Sequence, residues 1–304
     1  MLDIARVRVK GFSVDYLDLF WDLVPTFEDV LDYEFVVQRS LQQYSNYSDI
    51  SPAMINRYRF RDATVQGQHA RYRGFWYRVQ ITKRSDPTKI AYAPAAGGGG
   101  VRMTAEPDLY ALEFSRHENL RLQEFAGRKA LIFPKLAFGQ HCPNCVDQIQ
   151  RRKMRSNCLT CYDTGYVGGF GRPVECYIEV TTAPEVSQTT PQGKMEIENT
   201  RFKLGNFPEV NEGDLVVEGE NIRWAIGDPV IEVTKARAMF RQQGTLFRLD
   251  RSDITYKVPI NWSDAEVMNL LPTPERNYTN PSTFDGGSVD EAISKIFGGR
   301  SAPS

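Results

Sequence analysis

Two Cys-x-x-Cys pairs constrain this chain more than any other feature of its sequence. Cys142 pairs with Cys145 and Cys158 with Cys161, and twelve residues separate the two pairs. In a reducing compartment, such pairs indicate that the cysteines bind a metal rather than form disulfides. Four soft thiolates form the closed tetrahedral shell that structural Zn²⁺ prefers. The spacing therefore predicts a structural zinc ribbon in the middle of the chain, with these four cysteines as ligands.

Other uses of the cysteines compete with structural zinc. Iron in a rubredoxin-like site takes the same four ligands, and a redox dithiol usually needs one pair beside a βαβ unit, which the pattern lacks. Catalytic zinc requires an open position, which four cysteines do not leave. His141 is an alternative ligand, although a histidine beside a cysteine is more often a loop residue. Cys176 is expected to be a buried small hydrophobe on a strand.

The segment between the pairs carries a basic run of four residues. We favour charge balance as its role, because four thiolates around Zn²⁺ leave a formally doubly negative centre. A nucleic-acid patch is the alternative. It is less favoured because the run has no aromatic residue on which bases can stack. The run consists of Arg151, Arg152, Lys153 and Arg155.

Composition limits the classes of function. The chain has 304 residues, of which 41% are hydrophobic and 25% charged, as is typical of globular proteins. Its formal net charge of −1 argues against whole-molecule attraction to nucleic acid or to a membrane. The apolar runs are far shorter than the roughly 20 residues that cross a bilayer, and the first residues do not resemble a signal peptide. We expect a protein made in the cytosol, without a membrane partner.

Residues 1–93 alternate like the strands of an antiparallel β-sandwich. Their Leu-x-Trp, Tyr-x-Phe and Tyr-x-Val-x-Ile segments resemble strands B, C and F of a fibronectin type III domain. The resemblance implies that Trp21 and Tyr77 pack between two sheets. The period-2 apolar faces are Leu17, Leu19 and Trp21, then Tyr33, Phe35 and Val37, then Tyr77, Val79 and Ile81.

The next segments lead into the cysteines. Residues 94–106 contain four consecutive glycines and predict a linker, since no Lys-Ser/Thr follows at the offset of a phosphate-binding loop. Within residues 107–174, the sequence predicts a helix over 109–125 closed by Gly127 as its C-cap. A buried strand at 130–134 then precedes the zinc ribbon.

The C-terminal half is predicted to be a small β-barrel or sandwich over residues 175–259, followed by an arm. Short strands alternate with turn residues, and residues 184–199 are expected to form a projecting loop. The predicted strands are 176–180, 215–217, 223–226, 246–249 and 254–258.

Residues 260–304 predict an extended, proline-punctuated arm that ends in an amphipathic helix at 289–297. Ser288 and Glu291 form a capping box at its start. A helix this short is marginal in water, so its apolar stripe should dock on a neighbouring protein surface. Folding back onto its own chain is the alternative. The partner-binding stripe comprises Val289, Ala292, Ile293, Ile296 and Phe297.

A longer pattern over residues 127–170 resembles a known family. Residues 162–170 read Tyr-Asp-Thr-Gly-Tyr-Val-Gly-Gly-Phe after the second cysteine pair. This is similar to zinc-ribbon-bearing virion proteins of tailed bacteriophages, whose glycines are expected to turn the chain back against the metal. Residues 206–208, 213–218 and 221–224 resemble β-barrel proteins of the head–tail neck. Proteins of the DnaJ type depart from the pattern at its first glycine.

The resemblance implies a mainly β structural protein of the virion. It would be a head–tail connector subunit, of the head-closure or adaptor kind, forming a homo-oligomeric ring next to portal, adaptor or tail proteins. Assembly would take place in the bacterial cytoplasm, and passing DNA would be its nucleic-acid contact. The sequence has no nucleophile elbow, dinucleotide fingerprint or metal-activating His/Glu motif, so we expect no enzymatic activity. A nucleic-acid-binding zinc ribbon and a tail or baseplate component are the alternatives.

Overall fold

Antiparallel pairing dominates the computed structural model of this protein, in which residues Met1–Met268 form one compact unit. The structure describes residues 1–13, 16–65, 74–95, 99–103, 108–147, 149–181, 186–190, 193–197, 199–227, 230–235, 238–262 and 265–267. The predicted terminal helix at 289–297, with its partner-binding stripe, lies outside the described residues.

The N-terminal module is a sandwich of two sheets. Its strands are β1 (Ile4–Lys10), β2 (Leu17–Leu23), β3 (Tyr33–Ser40), β4 (Ser48–Asp49), β5 (Arg59–Asp62), β6 (Trp76–Lys83) and β7 (Asp86–Ala93). One sheet has the order β1-β2-β5 and the other the order β4-β3-β6-β7. The predicted β-sandwich is thus confirmed, whereas the fibronectin type III family stays a prediction.

The sandwich core includes the period-2 residues that the sequence singles out. Trp21 on β2, Phe35 on β3 and Tyr77 on β6 are fully buried between the sheets, as alternation along a strand requires. The Tyr77 hydroxyl donates a hydrogen bond to the buried carboxylate of Asp62 at 3.0 Å. The buried Tyr77 hydroxyl therefore has a hydrogen-bond partner.

The predicted helix forms as α1 (Leu109–Arg121), followed by one π-helical turn at Leu122–Ala126. Asp108 begins α1, because its side chain accepts a hydrogen bond from the Ala111 N–H. Gly127 ends the helical segment, but not as a left-handed C-cap, since its φ is −94°. Glycine fits here because a β-carbon would lie 2.4 Å from the Leu122 carbonyl oxygen.

The C-terminal module is a six-stranded barrel with additional strands. Its elements are β8 (Arg128–Phe133), β9 (Val174–Thr181), β10 (Val186–Thr190), β11 (Gly193–Ile197), β12 (Asn199–Leu204), β13 (Leu215–Glu218), β14 (Arg223–Ile226), β15 (Ile231–Lys235), β16 (Ala238–Arg248) and β17 (Glu266–Val267). The barrel order is β12-β16-β14-β13-β8-β9, and it closes because β9 also pairs with β12. A buried apolar cluster that includes Ile178, Phe202 and Leu246 fills the interior.

Two expectations for this half of the chain were wrong. Within the predicted loop at 184–199, β10 and β11 pair as an antiparallel hairpin. The predicted strand at 254–258 is a 3₁₀ turn, Ile254–Lys257, whose start is capped by the Asp253 side chain. The buried guanidinium of Arg223 fixes this turn, because it donates to the carbonyl oxygens of Thr255 and Val258.

The first residues of the predicted arm belong to the body of the protein. Ala265 is buried and Ile260 partly buried in a cluster on the outside of β8 and β13. Strand β17 pairs in parallel with β9.

Sandwich and barrel contact each other through the loop after β12. The Asn206 side chain donates a hydrogen bond to the Phe12 carbonyl oxygen at 2.9 Å. The Phe207 ring packs against Phe12, and the Arg59 guanidinium lies 4.0 Å above it. Arg59 in turn pairs with the buried Asp18 of β2. The sequence predicted none of these contacts.

Candidate metal centre

The four predicted ligands converge on one point. Their sulfur atoms all lie within 4.8 Å of one another. Two short distances each join a sulfur atom of the first pair to one of the second pair. They are 3.7 Å between Cys142 and Cys158 and 3.2 Å between Cys145 and Cys161. All but Cys158 are buried. The arrangement is that of a four-thiolate site able to surround one metal ion.

Backbone hydrogen bonds bring the two cysteine pairs together. The Cys142 N–H donates to the Gly165 carbonyl at 2.9 Å, and the Gly168 N–H donates to the Thr160 carbonyl at 2.9 Å. Between side chains, the Asn144 amide donates to the Thr160 hydroxyl at 2.8 Å. The segment after the second pair is therefore folded back over both pairs.

Glycines make this return of the chain possible. Gly165, Gly168 and Gly169 have φ values of 87°, 85° and 71°, in the left-handed region that other residues rarely adopt. A β-carbon at Gly169 would lie 2.5 Å from the Cys161 carbonyl oxygen. The Thr-Gly-x-x-Gly-Gly pattern thus encodes a tight turn against Cys161, as the resemblance implied.

Asp163 holds the second cysteine pair in place, and the sequence analysis missed it. Its carboxylate accepts hydrogen bonds from the N–H groups of Asn157 and Cys158, each at 3.0 Å. The Lys153 ammonium lies 3.3 Å from the same carboxylate. Burial acts to raise the pKa of Asp163, but these hydrogen bonds outweigh it and lower the pKa. The one sequence feature that could have pointed to Asp163 is its place in the Tyr-Asp-Thr-Gly segment directly after Cys161.

The thiols fit a divalent metal chemically. Burial raises the pKa of Cys142 and of Cys145, and for Cys145 the neighbouring thiol of Cys161 adds to the effect. At Cys158 burial also acts to raise the pKa, but N–H groups of Thr160 and Cys161 bring it down to about 7. Buried thiolates this close together need a cation to balance them, and a bound metal ion would supply that charge.

The structure places His141 outside the cluster of sulfur atoms. Its ring stacks on Tyr166, at 5.1 Å between centroids, and packs at a tilt against Phe27, at 4.8 Å. Burial, with Arg151 nearby, lowers the pKa of His141. The four-cysteine group is complete without the imidazole.

The ribbon also packs on the sandwich. The Thr26 N–H donates to the Gly139 carbonyl at 3.0 Å, and the His141 N–H donates to the Thr26 carbonyl at 2.8 Å. Next in sequence, Phe27 packs against the cysteine cluster itself. A loop of the N-terminal module therefore forms part of the wall of the metal centre.

On its other side the ribbon packs on the barrel. Tyr162 and Phe170 pack onto the cluster outside β8 and β13, and the Gly171 N–H donates to the Pro134 carbonyl at 2.7 Å. The ribbon is inserted between β8 and β9, which are neighbours in the barrel. Cys176, on β9, lies inside the barrel, and burial raises the pKa of its thiol.

All four residues of the basic run lie on the exposed surface of the ribbon. Lys153 pairs with Asp163, whereas Arg151, Arg152 and Arg155 have no ion pair in the part of the chain that the structure describes.

Comparison with known proteins gave no assignment: no protein-family model matches this chain, and no curated protein matches it. In the described part of the chain, no helix has the length and apolar character needed to cross a membrane.

Proposed function

We propose that this chain is a structural virion protein of a tailed bacteriophage, a connector subunit of the head–tail neck that assembles as a ring. The observation that carries the proposal is the four-cysteine centre, with Phe27 of the sandwich on one side and the barrel-packed ribbon on the other. A metal there joins two β modules. This suits a subunit that must keep its shape under load, and it agrees with the virion-like motif at residues 162–170.

In this proposal the metal is structural Zn²⁺ held by Cys142, Cys145, Cys158 and Cys161. Four protein ligands leave no position for water or substrate, so the ion supplies folding energy and charge neutralisation. Asp163 and Lys153 orient the second cysteine pair around it.

The test is the location of the protein in phage particles. It should co-purify with tailed particles through a density gradient, and antibody-linked gold should label the neck. Labelling at the baseplate would favour the tail alternative, and recovery only in the soluble fraction would refute both. Elemental analysis should give about one zinc per chain and no iron.

A second candidate, nucleic-acid binding by the ribbon, is favoured by the exposed guanidiniums of Arg151, Arg152 and Arg155. It predicts DNA binding that weakens steeply with salt and disappears when these three residues become alanine. Arg128→Ala is the matched control, because Arg128 is also exposed but lies at the start of β8. Absence of salt-dependent binding would remove this candidate.

A further inference from the structure

The sulfur atoms of the metal centre approach one another in two couples, each with one cysteine from each Cys-x-x-Cys pair. The Cys145 and Cys161 sulfur atoms are 3.2 Å apart, and those of Cys142 and Cys158 are 3.7 Å apart. We call these the cross-pair couples. Because a disulfide holds its sulfur atoms about 2.05 Å apart, an approach of roughly 1–2 Å would bring either couple to bonding distance.

The ribbon's own hydrogen bonds hold the two pairs face to face. Asn144, inside the first pair, donates from its side-chain amide to the hydroxyl of Thr160, inside the second pair, at 2.8 Å. The Cys158 N–H donates to the Asp163 carboxylate at 3.0 Å, which fixes the backbone of the second pair. Neither hydrogen bond involves a sulfur atom. The frame that aligns the cross-pair couples is therefore made by the chain itself.

The choice of partner decides what a disulfide would do to the ribbon. A disulfide within one Cys-x-x-Cys pair leaves the two pairs unconnected. A disulfide between Cys145 and Cys161 joins residues that lie 16 positions apart, and it ties the two pairs together as a shared metal ion would. The cross-pair couples are therefore the ones that could replace a metal as the crosslink of the ribbon.

Cys158 is the cysteine of the centre that an oxidant would reach first, because it is partly exposed while the other three are buried. Cys142 is its cross-pair neighbour at 3.7 Å. Oxidation of a cysteine depends on its exposure, and a second cysteine nearby resolves the oxidised sulfur into a disulfide. This couple thus combines an accessible sulfur with a buried resolving thiol.

Hydrogen peroxide is an oxidant that balances this reaction. The Cys158 thiolate attacks one peroxide oxygen, the O–O bond breaks, and a sulfenic acid and hydroxide form. The Cys142 thiolate then attacks the Cys158 sulfur, so that the S–S bond forms and the S–O bond breaks with loss of a second hydroxide. The two thiolates lose two electrons, which the peroxide gains. A second peroxide oxidises Cys145 and Cys161 in the same way, and a bound metal ion leaves as the cation.

We propose that the four cysteines provide two alternative crosslinks of the ribbon. One is a metal ion under reducing conditions. The other, after oxidation by a peroxide, is a pair of disulfides, between Cys142 and Cys158 and between Cys145 and Cys161. The use of the second crosslink rests on the proposed function, because a virion protein made in the reducing cytoplasm is later exposed to an oxidising exterior. The chemistry itself rests on the metal centre and its cross-pair couples.

The experiment oxidises the metal-loaded full chain with hydrogen peroxide in the presence of a chelator and then maps its disulfides without reduction. Trypsin cuts after Arg151 and Arg155, between the two pairs, and neither pair contains a lysine or arginine. Cross-pair disulfides should therefore leave the two cysteine peptides joined as the main product. Disulfides within each pair would leave them separate. Cys176, buried inside the barrel, should stay reduced and is the internal control.

Two double variants, each lacking two thiols, identify which cysteines join. Cys145→Ser with Cys161→Ser retains the couple of Cys142 and Cys158, and its two peptides should become joined. Cys145→Ser with Cys158→Ser retains Cys142 and Cys161, one from each couple, and is the matched control. The control should join its peptides at least about fivefold more slowly, because it lacks both a cross-pair couple and the exposed sulfur.

Hydrogen exchange tests whether the disulfides replace the metal. The Thr26 N–H donates to the Gly139 carbonyl of the ribbon. In the oxidised, metal-free chain, exchange at Thr26 should stay within about threefold of its rate in the metal-loaded chain. Adding a reductant together with the chelator should remove that protection. The Val79 N–H of β6 is the control and should stay protected throughout.

Four results would each overturn the proposal. They are a reduced natural chain that holds no metal, separate cysteine peptides after oxidation, equal rates for the two double variants, and exchange at Thr26 as fast in the oxidised chain as in the reduced, metal-free one. These results are distinguishable from failure of the proposed function. Neck labelling of a protein whose peptides stay separate would refute the disulfide pairing alone, whereas joined peptides in a protein absent from particles would refute the neck assignment alone.

Discussion

Among single residues, the cysteines give the most direct test of the proposed metal centre. If the centre holds zinc as proposed, replacing Cys142 by serine removes one of its four converging sulfur atoms, so the zinc content should fall and the ribbon should loosen. Cys176→Ser is the matched control, because its thiol lies inside the barrel. Elemental analysis should show about one zinc per chain for that control. Equal zinc content in Cys142→Ser would contradict the assignment of the ligands.

A glycine pair tests the turn against the metal centre. Gly169→Ala should destabilise the ribbon more than Gly168→Ala, although both have a positive φ. The left-handed backbone costs about 1–2 kcal/mol in either variant. At Gly169 alone the added methyl group also meets the Cys161 carbonyl, while the Gly168 β-carbon position has no atom within 4 Å. Thermal unfolding of the two variants gives the comparison, and equal stability would argue against the close approach.

At the scale of elements, the sandwich depends on its buried aromatic residues. Trp21 is fully buried between the sheets and packs against Phe35 at 6.0 Å between ring centroids. Trp21→Ala should therefore lower the free energy of unfolding by roughly 3–5 kcal/mol, as other aromatic truncations in cores do. Chemical denaturation measures the change. A variant as stable as the natural sequence would contradict the position of Trp21 in the core.

The ribbon should transmit metal loss to the sandwich. If the centre holds a metal as proposed, chelation should loosen residues 139–170, and with them the hydrogen bond from the Thr26 N–H to the Gly139 carbonyl and the packing of Phe27. Hydrogen exchange should therefore quicken at Thr26 when the metal is removed. The Val79 N–H, on the central strand β6, is the control and should stay protected. Unchanged exchange at Thr26 would mean that the metal does not support this contact.

For the whole molecule, the compact body extends to Met268, beyond residue 260, where the sequence predicts the arm to begin. Truncation after Met268 should leave a folded, zinc-containing body, because it retains β17 and the buried Ala265. Truncation after Asn261 removes both and should lower the melting temperature. If the terminal helix docks on a neighbouring protein as predicted, the longer truncated chain should keep its body fold but fail to enter particles. Normal incorporation would make the arm dispensable.

The elements that sequence reasoning located correctly are those encoded locally. Alternation of apolar residues places Trp21, Phe35 and Tyr77 in a sandwich core, because side chains along a strand point to alternate faces. The cysteine spacing likewise identifies the four sulfur atoms of one centre, since the pairs and the turn glycines lie within about thirty residues of each other. These patterns determine the mainly β class and the four-cysteine cluster without any knowledge of distant contacts.

What only the tertiary structure decided are the contacts between residues far apart in the chain. Residues 254–257 are apolar enough to be a strand, but the Arg223 guanidinium holds their carbonyl groups in a turn. Phe27 reaches the cysteines across more than a hundred residues. The ribbon connects β8 to β9, and its position on the barrel is fixed because those two strands pair with each other. A local pattern records which face of an element is buried, whereas its partner depends on how the whole chain closes.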